Sequence, residues 1–152
     1  MATAAQSRTP MHLWIIGGIA ALWGAFGGYD YIMTRMRDTE YLAGMMPGVD
    51  PNSFLDWIDG FPIWADFGWG LGVWAGLIGA ILLLVRNRYA VWALGLSLVG
   101  AVLGLGYQIA LAPPPPAGAE GPMFEIMPYV IIVVALALFL YARAMEKRGV
   151  LR

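Results

Sequence analysis

Four apolar runs occupy most of this 152-residue chain: Leu13 to Met33, Ile63 to Val85, Tyr89 to Leu111 and Met123 to Tyr141. Each is close to or above the ~20 residues that a helix needs to cross the hydrocarbon of a bilayer. Lipid offers no partner for a backbone N–H or C=O, and a helix satisfies both within one segment. Only Asp30, Asp66 and Glu125 carry formal charge within the runs, and each lies toward one end of its run. The expected fold is therefore all-α: a single integral membrane bundle of four helices spanning residues 1–152.

Composition agrees. Charged residues make up 12 % of the chain, against roughly 25 % in soluble domains. Nine basic and ten acidic residues give no reason to expect a nucleic-acid partner. The absence of cysteine excludes disulfides, iron–sulfur clusters, thiolate metal sites and cysteine nucleophiles. Arg8 precedes the first run, as in a secretory signal peptide. That run is longer than the about 7–15 apolar residues of a signal, and no small-x-small cleavage site follows, so it is read as a retained helix.

Charge asymmetry orients the bundle. Arg8, Arg86, Arg88, Arg143, Lys147, Arg148 and Arg152 fall on one side and only Arg35 and Arg37 on the other. The positive-inside rule then puts both termini in the cytoplasm. Asp38, Glu40, Asp50, Asp56, Asp59 and Glu120 populate the two outer loops. The turn Val85-Arg86-Asn87-Arg88-Tyr89 is short enough to force helices 2 and 3 into an antiparallel hairpin. In the first outer loop, Asp50-Pro51 reads as an N-cap followed by proline at the first helical position. A short helix with Phe54, Leu55 and Ile58 on one face should follow, lying on the membrane surface or as a lid over the bundle mouth. Pro113-Pro114-Pro115-Pro116 is read as a stiff polyproline II spacer between helices 3 and 4.

Helices in lipid associate through close backbone approach and a few polar contacts. Gly17, Ala21, Gly24 and Gly28 form a stripe on helix 1, and Gly68, Gly72, Gly76 and Ala80 recur at four-residue spacing on helix 2. Helix 3 offers Gly100 and Gly104 beside Ala93, Ser97 and Ala101, whereas helix 4 has almost no small residues. Helices 1 to 3 should form the tight part of the bundle, with helix 4 peripheral. The same GxxxG-type stripes would also suit a helix of another protein or of a second copy. Trp14, Trp57, Trp64 and Trp92 sit near helix ends as interfacial anchors; Trp23, Trp69 and Trp74 lie deeper and suit packing.

The polar groups inside the helices share one depth. Asp30, Asp66, Gln108, Glu125 and Tyr129 fall near the outer helix ends and form a candidate outward-facing pocket. An ionisable residue at membrane depth is a functional hypothesis by default, although carboxylates one turn from a helix end also reach headgroups and water. His12 is the only histidine and Ser97 the only helical serine, with Ser7 and Ser53 outside the runs. No metal site, cofactor or catalytic group is expected from them. The helix centres are almost wholly apolar, no proline is expected to break a helix within the membrane, and a polar path through one copy is hard to draw.

Met11-His12-Leu13-Trp14, Gly27-Gly28-Tyr29-Asp30-Tyr31-Ile32-Met33-Thr34, Gly60-Phe61-Pro62, Trp74-Ala75-Gly76 and the tail Arg148-Gly149-Val150-Leu151-Arg152 resemble a group of small four-helix inner-membrane proteins of proteobacteria. Members of that group often carry the label "sugar transporter" without an established mechanism. The resemblance implies a bacterial inner (cytoplasmic) membrane and transfers no functional residues. The expected function is that of a non-catalytic accessory or scaffold subunit, packing against a larger membrane complex and surrounded by lipid. Transport of a small solute such as a sugar by an oligomer is the alternative, with Asp30 and Asp66 as its best residues.

Overall fold

The computed structural model describes residues 8–152. Six helices follow in order: α1 (Met11–Arg35), α2 (Thr39–Met45), α3 (Pro51–Asp59), α4 (Ile63–Leu84), α5 (Ala90–Ala110) and α6 (Pro122–Lys147). The four long ones are α1, α4, α5 and α6, each apolar and long enough to span a membrane. The protein is an all-helical membrane protein. Ser7 lies outside the described residues.

The long helices pack in the spatial row α1, α4, α5, α6, so that each touches its neighbours and α4 and α5 form the centre. Glycine makes the central contact close. A Cβ on Gly72 would sit 3.0 Å from the Ala101 nitrogen, one on Gly104 2.9 Å from the Trp69 nitrogen, and one on Gly68 2.9 Å from the Gly104 nitrogen. Gly100 faces the Gly72 backbone, and a Cβ on Gly76 would meet Ser97 Oγ at 2.8 Å. Ser97 Oγ donates to the Gly72 carbonyl at 2.7 Å, tying the two helices by a side chain that needs a partner in lipid. On the other face of α4, a Cβ on Gly24 would lie 3.0 Å from the Leu77 Cα, and Gly28 accommodates the Trp74 ring. The glycine stripes are thus occupied by the protein's own helices. Gly18 and Gly27 of α1 have nothing within 4 Å of where a Cβ would stand.

α6 is the outlying helix. In its most apolar stretch only 6 % of residues are buried, against 33 % in α5. Two expectations about it need correcting. Pro128 lies inside α6 and is buried, so a proline does interrupt the backbone ladder of a membrane helix. The helix also runs past Tyr141 to Lys147, because hydropathy ends where the membrane does while helical geometry continues through Ala142-Arg143-Ala144-Met145-Glu146-Lys147. Gly149, at φ 69°, then turns the chain back.

That reversal builds a plug at the end where α1 begins and α6 ends. Leu13, Leu83, Ala90, Leu94, Ala142, Met145, Val150 and Leu151 form one buried apolar cluster. The tail is pinned to the α4–α5 turn: the Arg152 N–H donates to the Arg86 carbonyl at 2.7 Å and the Arg88 N–H to the Arg152 carbonyl at 2.9 Å. His12 Nδ1 and the Tyr141 hydroxyl share a hydrogen bond, so α1 and α6 meet here. They form no packed pair along their length.

Candidate functional site

At the opposite end α1 and α6 line a common space without packing on each other, and α2, α3 and the α5–α6 connection close over it. The result is a chamber of about 620 Å³, within the about 300–1,000 Å³ of small-molecule sites.

Its roof begins with α2, a helix not anticipated from the sequence. Asp38 caps it by accepting from the Tyr41 N–H at 2.9 Å, and Leu42, only 2 % exposed, faces inward. α3 starts as expected: Asp50 accepts from the N–H and hydroxyl of Ser53 at 2.9 and 2.7 Å, which holds its carboxyl below the usual carboxylate range. Leu55 is buried, and Phe54, Trp57 and Ile58 line the chamber, so α3 serves as a lid over the helix ends. An edge-to-face chain anchors it: Trp57 on Phe61 at 4.8 Å, Phe61 on Tyr107 at 5.0 Å, and Phe54 on Phe124 at 6.3 Å.

The proline-rich segment does more than separate two helices. Trp57 Nε1 donates to the Pro113 carbonyl at 3.0 Å, Ala119 is buried, and Gly118, at φ 88°, lies against the Gly48 carbonyl. Only a residue without a Cβ fits there. The segment is a structural part of the cap.

Of the five residues expected to form an outward pocket, Asp30, Asp66 and Gln108 line the chamber. Glu125 and Tyr129 do not; both are exposed on α6, Tyr129 by 55 %. The reason is azimuth. Phe124, Met127, Pro128 and Ile131 recur at helical spacing and face the chamber, whereas Glu125 and Tyr129 each sit one residue, about 100°, further round. Thr34 and Glu120 are polar lining residues missing from the expected set.

Asp30 and Asp66 are already partnered. Asp30 accepts from the Tyr41 hydroxyl at 2.9 Å. Burial foremost, and then this bond to the carboxylate, push the Tyr41 phenol up to about 12. Asp66 pairs with Arg35, whose guanidinium lies 5.2 Å from the ring centres of both Tyr31 and Trp69. Arg37 reaches Asp59 at 2.7 Å and Asp56 at 3.8 Å, fastening α3 to the end of α1. These exposed pairs position the lid more than they stabilise it.

Comparison with the models of known protein families, with curated proteins and with solved structures found no match.

The remaining lining is apolar: Met45, Met46, Met123 and Met127 with Phe54, Phe61, Phe124, Trp57 and Trp69 around them. Among the described residues no three His, Asp or Glu side chains gather as a metal would require. Ser97 lies in the α4–α5 seam rather than at the chamber, and His12 at the opposite end of the bundle. The chamber lining is mostly apolar, with Asp30, Thr34, Asp66, Gln108 and Glu120 as its polar side chains.

Proposed function

We propose that the protein is a non-catalytic accessory subunit of the bacterial inner membrane, with both termini cytoplasmic, whose working site is the capped chamber. It acts by binding an apolar or amphipathic small molecule beside larger membrane proteins. The observation carrying this reading is the chemistry of the chamber wall. Its two carboxylates within the membrane helices are engaged by Arg35 and Tyr41, while its volume and mostly apolar lining suit a ligand. The glycine seams do not serve as the docking face, since α4 and α5 fill each other's. The aliphatic surface of α6, with Val133 and Leu140 each more than half exposed, is the face offered to a partner.

Sugar transport draws less support. A sugar presents several hydroxyls that each need a partner once buried, and few chamber groups remain uncommitted. The apolar plug around Leu13, Leu83 and Leu94 also stands between the chamber and the terminal end.

The test is purification of the tagged protein from its native membrane in a mild detergent, with mass spectrometry of co-eluting proteins and small molecules. Stoichiometric recovery with a larger membrane complex, carrying a bound small molecule, is expected. Recovery alone and without ligand would refute the proposal.

A further inference from the structure

The shape and depth of the chamber narrow its occupant. Ile131 lies nine residues into α6 and Gly104 six from the end of α5, so at 1.5 Å per residue the chamber reaches about 9–13 Å down the helices. One leaflet of hydrocarbon is about 15 Å deep. The space thus lies at the level of the acyl chains of one leaflet. Both α1 (Asp30, Thr34) and α6 (Met127, Pro128, Ile131) line it, yet these helices form no packed pair. No helix–helix seam walls the chamber off from the bilayer on that side.

Polar groups are graded along the same axis. Asp66 and Gln108 lie two or three residues from the outer helix ends, with Glu120 in the connection above them, whereas Trp69, Gly104 and Ile131 lie six to nine residues in; Asp30 and Leu105, each five residues in, lie between. Of four unbranched methionine side chains lining it, Met46 and Met127 are half-buried and Met45 and Met123 exposed at its edge; such side chains mould to flexible ligands better than to one rigid shape.

We propose that the chamber takes one hydrocarbon chain of an amphiphile from the surrounding leaflet, entered between α1 and α6, with the polar head held at the mouth beneath α2 and α3. This rests on the chamber being a binding site. The capped roof then covers the head region, and the gap between α1 and α6 serves as the lateral gate. The chain is supplied by a bilayer phospholipid or by a free fatty acid, which share this chemistry.

Photolabelling of the full chain in phospholipid nanodiscs tests it. Three probes are used in parallel: a phospholipid with a diazirine in its acyl chain, a diazirine fatty acid in unmodified phospholipid, and a compact aromatic diazirine. Labelling is mapped by peptide mass spectrometry at Leu105 and Met46 in the chamber and at Leu22 and Leu136 on bilayer-facing surfaces. A chain probe should label Leu105 and Met46. Met127→Trp, which fills the space without touching the α4–α5 seam, should abolish that labelling and leave Leu22 and Leu136 unchanged. The unchanged outer positions report that the variant is folded. Labelling by the phospholipid probe assigns the source to the bilayer, and labelling by the fatty acid alone assigns it to a free amphiphile. Labelling of the chamber by the aromatic probe alone overturns the chain assignment but keeps a binding site. Absence of chamber labelling by all three overturns both.

Discussion

At the residue scale, the carboxylates at membrane depth work as anchors, Asp30 for the cap and Asp66 for the end of α1. Asp30 holds α2 through the Tyr41 hydroxyl. Tyr41→Phe leaves that carboxylate without its donor and should cost about 1–3 kcal/mol, read as a lower unfolding midpoint and faster hydrogen exchange across α2. The same contact has a defined pH window. Because the Tyr41 phenol is raised from 10.0 to about 12, the fold favours its neutral form. Its stabilisation is complete below pH about 10 and is lost as pH rises toward about 12. An alkaline absorbance titration should show the late-ionising tyrosine signal reduced in Tyr41→Phe relative to wild type. Arg35 fills a different role, lying between two rings and an acid. Arg35→Lys keeps the charge but loses the planar surface, and should destabilise by about 1–2 kcal/mol in chemical denaturation in detergent. The sequence revealed the depth of Asp30, Asp66 and Gln108, because depth follows from position along a run. It misplaced Glu125 and Tyr129 because facing depends on how α6 is rotated against α5.

At the element scale, the boundaries of α1, α4 and α5 could be read from hydropathy to within two residues, α6 runs six residues past its apolar stretch, and the elements outside the membrane needed other signals. α2 was legible in principle: Asp38 followed by Thr39-Glu40 is an N-cap with an acid in the first turn. Its brevity, seven residues, hid any periodicity. The C-terminal tail carried an orientation signal in its basic residues, but its packing role came from Val150 and Leu151, 4 % and 5 % exposed. Deleting residues 150–152 should cost about 3 kcal/mol or more, since each fully buried aliphatic side chain is worth about 1.5–3 kcal/mol; a thermal melt in detergent would register it. In the central hairpin, Gly72→Leu places a branched side chain where a Cβ alone stands 3.0 Å from the Ala101 backbone. Loss exceeding the about 1–3 kcal/mol of ordinary overpacking is expected, because backbone cannot rotate aside as a side chain can. Loss of the folded monomer, rather than of an otherwise intact assembly, is the outcome that marks the seam as internal.

At the scale of the whole molecule, the fold is a row of four helices sealed at one end and holding the chamber at the other. The start of α1 and the C-terminal tail lie at the sealed end, and α2, α3 and the proline-rich connection lie over the other. The proposed cytoplasmic placement of the termini is directly testable, since the chain has no native cysteine. In intact cells, Ser53→Cys should react with a membrane-impermeant maleimide, and Arg148→Cys should react only after the membrane is permeabilised. The sequence by itself determined the solvent, the number of crossings, the hairpin and the four-residue spacing that lets α4 and α5 approach. Those are local or one-dimensional properties, set by run length, charge and spacing along each helix. Only the tertiary structure decided that α1 and α6 do not pack on each other, that Pro128 and the methionines face a common space, and that the loops close it. A chamber is empty volume between helices distant in sequence, and its existence depends on rotations and tilts that no single segment encodes.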